Sequence, residues 1–372
     1  MALRYLLPGQ MNYMKQNGFD VLMISADGKE RNEVIKNENC EHIIVPMTRK
    51  ITPIQDLNCL IQLIKIFRNQ KPDIVHTHTP KAGLLGMIAA KTCGVKIRIH
   101  TVAGMPLAVE TGFKLQLLKF IEKLTYAAAN HVWPNSFSLL KFITENKFTS
   151  SKKLKVISKG SSNGIDLNRF DKSNFNETII KSVKESVQYN VANIYLLCIG
   201  RLVKDKGIVE LVNAFKKIEK NNTKVKLVLV GVFEEHLDPL PKETINEIKT
   251  NPNIIHIDWS NHVEYYISLA NMFIFPSHRE GFPNVLLQSG ALGTPIICSK
   301  IAGNVDIVEN NVTGLIFDVG NENELEKQIN FALQNENLLK IMAKNLKENI
   351  YNSFGKEKIW QAILQEYKML LS

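Results

Sequence analysis

No stretch of this sequence approaches the roughly 18 consecutive apolar residues that a membrane-spanning helix needs. Its opening residues, MALRYLLPGQMNYMKQ, carry neither a basic leader nor a small-residue cleavage site. The expectation is a cytoplasmic chain. Cysteine is scarce: Cys40, Cys59, Cys93, Cys198 and Cys298 lie far apart, with no C-x-x-C pair and no histidine at ligand spacing. Their spacing argues against a zinc site and against a disulfide framework. Short-period repeats and low-complexity tracts are missing, which excludes a solenoid. Also missing is any block of dense Lys/Arg with interleaved aromatics, so no nucleic-acid groove is expected.

What is present fits a soluble globular protein, with 45% hydrophobic and 22% charged residues. A chain of 372 residues has room for two domains with a cleft between them. The formal net charge of +10 points to an anionic partner, either a membrane surface or a phosphorylated substrate once nucleic acid is set aside.

Short β-branched runs alternate with longer segments of helical period, the pattern of an α/β protein with parallel sheets covered by helices. In the first half the strand candidates are residues 19–25, 42–46, 73–76, 97–101, 131–133 and 154–157. A capping box, Thr52-Pro53-Ile54-Gln55, opens a helix with Leu57, Leu60, Ile61 and Ile64 at helical spacing and a stop at Lys71-Pro72. The segment SKGSSNGIDLNRF, residues 158–170, then breaks the periodicity. Strand candidates resume at residues 194–199, 225–230, 254–257, 272–275 and 296–298. The expected domains are residues 1–165 and 166–354, with a final helix over residues 355–372 returning to the first.

Open parallel sheets bind ligands beyond the carboxyl ends of their strands. After residues 194–199 comes GRLVKDKG, in which Gly200 permits a sharp turn and Arg201 and Lys206 offer two cations. After Phe275 comes PSHREGFPN, in which Gly281 and Pro283 turn the chain into a helix. A helix start with free N–H groups, next to an Arg and a Lys, suits a diphosphate. In the first half, HTHTPKAG and IHTVAG put His76, His78 and His100 at strand ends. For His76 and His78 the alternative is a packed role with no ligand.

GRLVKDKG, REGFPNVLLQSGALGTPII and NVTGLIFD resemble the second domain of retaining GT-B glycosyltransferases of the group 1 (family 4) type. In the first half, KPDIVHTHTPKAGLLGMIAAKTCGVKIRIHTVAG resembles the branch that builds capsular, O-antigen or glycan-repeat oligosaccharides on an undecaprenyl diphosphate carrier in bacteria. The resemblance implies two Rossmann-like, doubly wound parallel-sheet domains facing a cleft. It also implies transfer of a hexose or N-acetylhexosamine from a nucleotide-sugar, UDP-linked, to a lipid-linked saccharide, with retention of configuration. Neither metal nor cofactor would be needed, and the enzyme would sit peripherally at the inner face of the cytoplasmic membrane.

The same resemblance assigns roles. Arg201 and Lys206, following Gly200, would grip the donor diphosphate and offset charge on the leaving group. His100 would face the transferred sugar, and Glu280 would hydrogen-bond its hydroxyls. Gly281, Phe282 and Pro283 would form the donor-side turn, and the backbone N–H groups of Asn284, Val285 and Leu286 would hold phosphate oxygens.

Two departures from the family stand out. The second acid of its E-x7-E motif is here Gln288, which still accepts a hydrogen bond from a ribose hydroxyl while removing a charge beside the diphosphate. The family's first strand and its Gly-rich loop are not evident before residue 19, which leaves open a non-catalytic, transferase-derived binding protein. A GT-B nucleotide-sugar 2-epimerase is the rival enzyme. Finally, residues 113–155 carry eight lysines against two glutamates. Lys114, Lys119 and Lys123, with Leu115 and Leu118 off the main apolar stripe, suggest a helix lying on an anionic leaflet.

Overall fold

A computed structural model describes residues 2–48, 50–104, 112–234 and 238–372. The chain divides into two compact units, one of Met1–Gly164 with Lys356–Ser372 and one of Ile165–Gly355.

The first part of the chain runs α1 (Ala2–Tyr5), α2 (Gln10–Gln16), β1 (Leu22–Ser25), α3 (Arg31–Glu38), β2 (Glu41–Ile44) and α4 (Pro53–Gln70). It continues with β3 (Ile74–Thr77), α5 (Pro80–Thr92), β4 (Ile97–Val102), α6 (Gly112–Ala128), β5 (His131–Pro134) and α7 (Phe137–Glu145). The second unit holds α8 (Glu177–Ser186), β6 (Ile194–Ile199), α9 (Ile208–Asn221), β7 (Val225–Val230), α10 (Lys242–Thr250), β8 (Ile254–Ile257) and α11 (Val263–Leu269). There follow β9 (Met272–Phe275), α12 (Asn284–Ala291), β10 (Ile296–Ser299), β11 (Leu315–Phe317), α13 (Glu322–Gln334) and α14 (Glu336–Ser353). A last helix, α15 (Lys356–Leu371), belongs to the first unit.

In the second unit all six strands are parallel, in the order β11-β10-β9-β6-β7-β8. Strands buried on both faces read as unbroken apolar runs, and β6 shows the two faces by alternation. Tyr195 and Leu197 enter the core that holds Phe273 and Leu286, whereas Leu196 and Cys198 enter the one that holds Phe215 and Leu229. From β6 the chain moves outward through β7 and β8, then returns to build β9 on the other side of β6. The switch of direction leaves a crevice at the carboxyl ends of β6 and β9.

Among its described residues the first unit has two parallel sheets, β1-β2 and β3-β4-β5, with α1 and α2 ahead of β1. Thr77 of β3 stands opposite His100 of β4. One side of β3-β4-β5 packs on α4, α5 and α6 through Leu63, Phe67, Met87 and Tyr126. A further cluster joins Met14, Ile97, Ile99, Trp133 and Ile157 to Ile359, Ile363, Leu364 and Tyr367 of α15. At the foot of α15, Trp360 Nε1 donates to Asn163 Oδ1 at 2.6 Å, and Gln10 Nε2 donates to the same oxygen at 3.1 Å.

Four sequence expectations change. Residues 154–157 do not form a strand: Leu154 makes a single parallel bridge to Val132, because a 3-10 turn over Ser151–Lys153 leaves only its end alongside β5. Thr52 caps α4 without the expected box. Its hydroxyl donates to Asp56 Oδ1 at 2.9 Å, and Gln55 reaches away to the Pro46 carbonyl at 2.6 Å. Asp56 is drawn there by Lys81, whose Nζ lies 2.7 Å from Oδ1. In the same helix Cys59, Leu63 and Phe67 are the buried residues, whereas Leu57 and Ile61 are exposed. In α6, Leu115 and Leu118 pack against the core and Phe120 is exposed, the reverse of the face expected to meet a leaflet. The side chain of Lys114 lies outside the described residues.

Candidate functional site

The crevice of the second unit draws its polar groups from the loops after β6, β7 and β9. Gly200 extends β6, and Arg201 follows with its guanidinium paired to Glu234 in the loop after β7. Lys204–Lys206 form a single 3-10 turn that ends at Gly207. Gly207 has φ of 67°, and a Cβ there would collide with the Pro276 carbonyl. Only glycine lets the β6 loop lie this close to the β9 loop. As a result Lys206 Nζ reaches Glu280 Oε1 at 2.5 Å, and Ser277 Oγ donates to the same oxygen at 2.9 Å.

Beneath this pair lies a buried polar layer. Ser277, Ser299 and Asn304 are each fully enclosed. Ser299 Oγ donates to the Ser277 carbonyl, and Asn304 Nδ2 donates to the Ser299 carbonyl at 2.9 Å. Asn304 Oδ1 has no hydrogen-bond partner among the described residues. On the flank, Arg279 Nε donates to Asp205 Oδ1 at 2.9 Å, and His278 Nε2 lies 2.9 Å from Glu210 Oε1. The Glu210 hydrogen bond raises the His278 pKa above its usual value. Burial pushes Glu210 up, but its bond to His278 and a backbone hydrogen bond leave it lowered on balance.

Glu280 is followed by the turn Gly281-Phe282-Pro283 and by α12. Phe282 and Leu286 are buried, Phe282 with its ring 5.5 Å from that of Phe354, so both face the core and only their backbones are available to a ligand. Val285 packs partly on the same core. Among the described residues no side chain caps α12, and the Leu286 N–H donates to the Pro283 carbonyl at 3.1 Å. Gln288 is half-buried, one helical turn beyond Asn284 on the same face.

In the first unit, His76 has both ring nitrogens engaged, Nδ1 with Tyr367 Oη at 2.5 Å and Nε2 with Thr101 Oγ1 at 2.7 Å. It is a packed residue. His78 lies beside it, ring centroids 4.1 Å apart, and its buried Nδ1 has no partner among the described residues. His100 Nδ1 lies 2.9 Å from Thr77 Oγ1, with the ring against Gly83 of α5. Burial lowers the pKa of His78 to about 3 and that of His100 to about 4, so both rings are uncharged at neutral pH.

The structure thus brings Lys206 and Glu280 together directly, with Arg201 held in the same crevice by Glu234. Ser277, Asp205, Glu234, Ser299, Asn304 and Gly83 escape a reading of the sequence. Ser277 alone carries a signal there, as a polar residue directly after the β9 strand and Pro276.

Residues 180–352 match the family described as "Glycosyl transferases group 1", and residues 4–136 match "Glycosyl transferase 4-like". The chain is 33% identical over 369 residues to the capsular polysaccharide biosynthesis glycosyltransferase CapM of Staphylococcus aureus, covering 98% of this chain and 94% of that protein. It is 26% identical to the Escherichia coli UDP-Gal:alpha-D-GlcNAc-diphosphoundecaprenol alpha-1,3-galactosyltransferase, covering 91% of this chain and 86% of that protein. Among solved structures, Anabaena Alr3699/HepE in complex with UDP and glucose superposes with a TM-score of 0.80 at 17% identity, over 96% of this chain and 94% of that one. On the strength of the near full-length likeness to CapM, this chain is a glycosyltransferase of the GT-B fold and belongs to the group 1 family.

Proposed function

We propose that this enzyme transfers a hexose or N-acetylhexosamine from a UDP-linked donor to a lipid-linked saccharide, with retention of configuration, in surface polysaccharide assembly. The observation that carries the reading is the meeting of Lys206 and Glu280 at the start of α12, with Arg201 in the same crevice. The named activities of the Staphylococcus aureus and Escherichia coli relatives support the acceptor class.

In this reading Arg201 and Lys206 leave their carboxylate partners for the donor diphosphate. The amides of Asn284 and Val285 bind phosphate oxygens, since that of Leu286 is already used within the turn. Gly200, Gly281, Phe282 and Pro283 shape the backbone around the ligand. Glu280, released from Lys206, accepts from a sugar hydroxyl, and the Gln288 amide oxygen accepts from the ribose. His100, uncharged, serves the transferred sugar as a hydrogen-bonding group and not as a proton reservoir.

The bond from the anomeric carbon to the diphosphate oxygen breaks while the acceptor oxygen bonds to that carbon on the same face. The acceptor proton passes to the leaving phosphate oxygen, and UDP departs. Preorganised cations at the developing charge are worth about two to three powers of ten each in such closed sites. No resident metal has a part in this scheme, and turnover is expected to survive a chelator.

The test is Lys206→Ala and Arg201→Ala, assayed for transfer and for UDP binding. Both variants should lose turnover by about 100- to 1,000-fold and bind UDP more weakly. Unchanged values in both would remove the diphosphate assignment. Incubation with the donor alone separates transfer from epimerisation, which needs no acceptor.

A further inference from the structure

Two carboxylates hold the cations of the crevice. Glu280 has a sugar hydroxyl to bind, whereas Glu234 has no task in the reaction described above. Among the described residues Glu234 is joined to Arg201 alone, and the Arg201 guanidinium to Glu234 alone. Their side chains are 26% and 47% exposed, so a ligand can reach the pair.

Glu234 is not a freely swinging surface residue. Its loop is stitched to the one after β6: Leu202 N donates to the Val232 carbonyl at 2.9 Å, Leu202 and Phe233 form a parallel bridge, and further on Asp205 N donates to Asp238 Oδ2 at 2.6 Å. A Cβ at Gly231 would collide with the Gly200 carbonyl, so only glycine lets the two loops start this close. The Phe233 ring packs edge-on against His256, centroids 4.8 Å apart. Main-chain bonds and a packed ring thus fix the residue before Glu234 on the same support as Arg201. When Arg201 turns to a phosphate, the carboxylate stays beside it.

We propose that Glu234 is an internal competitor of the diphosphate, which holds Arg201 until a donor takes it and takes it back as UDP leaves. The inference rests on the diphosphate role given to Arg201 above. Glu234 touches no reacting atom in this scheme. It is a positioning residue that acts through Arg201.

The chemical reason is a difference in charge. UDP carries more negative charge than a UDP-linked sugar, so the cations that stabilise the leaving group also grip the product harder than the substrate. A carboxylate mounted beside them works against that grip. A half-exposed ion pair shifts an equilibrium by up to about fivefold. A carboxylate left about 4 Å from a phosphate repels it by a similar factor even at the dielectric of water.

The experiment titrates UDP into the full chain by calorimetry and follows UDP dissociation by stopped flow, for wild type, Glu234→Gln, Arg201→Ala and the double variant. Glu234→Gln keeps the shape and removes the charge. It should bind UDP about 3- to 20-fold more tightly than wild type, with UDP leaving more slowly. Tighter binding is the opposite of what a damaged fold would give. In the Arg201→Ala background the same change should gain less, because the contested cation is gone. UDP binding by Glu234→Gln equal to or weaker than wild type overturns the proposal, and weaker binding would give the carboxylate a ligand contact of its own. An equal gain in both backgrounds also overturns it, since only general repulsion would remain, as does a dissociation rate unchanged from wild type. If Arg201→Ala binds UDP as wild type does, the diphosphate assignment falls and this proposal with it. If Arg201→Ala binds weakly and Glu234→Gln does not tighten, the assignment stands and the proposal alone fails.

Discussion

Replacing Gly83 by Ala tests whether the position of His100 matters, without touching His100 itself. A Cβ at position 83 would stand 2.8 Å from Nδ1 and 3.1 Å from Nε2 of the ring, and closer still to Cε1. Carbon atoms rest at about 3.5–4.0 Å, so the ring must retreat by about 1 Å. His100 is buried and held by Thr77 at 2.9 Å, while Thr77 is itself packed against Gly86, so the movement breaks that hydrogen bond. Overpacking costs about 1–3 kcal/mol and the lost bond about 1 kcal/mol. The helix gains about 1 kcal/mol from Gly→Ala. The net loss of about 1–3 kcal/mol should lower the melting temperature by about 2–12 °C. Turnover should fall by about 100-fold, the effect of a displacement of this size at a reacting centre. Thermal unfolding and initial transfer rates, read beside His100→Ala, decide the matter. A Gly83→Ala protein that melts no lower than wild type and turns over normally would refute the packing argument. A lowered melting temperature with normal turnover would place His100 away from the chemistry.

Restoring the acid with Gln288→Glu should leave the enzyme active and shift donor KM more than kcat, because ribose contacts lie far from the bond being broken. Steady-state kinetics would contradict this with a hundredfold fall in kcat at constant KM. The His278–Glu210 pair should shape the stability profile. His278 has a raised folded pKa, so its contribution is full below the ordinary 6.5 and fades as pH rises through the folded value. Glu210 has a lowered one, so its share is full above 4.5 and fades as pH falls. The melting-temperature gap between wild type and His278→Gln should therefore be widest near pH 5–6 and shrink by about pH 8. A gap that does not change with pH would show that the pair is not ionised.

The second unit was legible almost strand by strand, since β6, β7, β9 and β10 are buried over most of their length and written as largely apolar runs, and the edge strand β8 still shows three isoleucines in four residues. β11, only Leu315–Phe317, is too short to separate from a loop. Site residues at strand ends could be named from the sequence because a sheet of this kind fixes where ligands go. What opposes them could not: Glu234 comes to Arg201, and Ser277 to Glu280, through loop geometry that no periodicity encodes. Helix α4 failed for a related reason. With apolar residues on two faces its pattern has no unique inward direction, and only the fold decides that Leu63 is inside and Leu57 outside.

The membership of α15 in the first unit bears on how the protein is made. Ile359, Ile363, Leu364 and Tyr367 complete the cluster around Ile99 and Trp133, and Tyr367 supplies one of the two partners of His76. While the ribosome is still adding residues beyond position 164, the unit synthesised first lacks this wall. Its apolar side stays open until the final helix has cleared the exit tunnel. The N-terminal half of the enzyme is therefore the last to be finished, and a chain stalled before Lys356 leaves Ile99 and Trp133 without that cover.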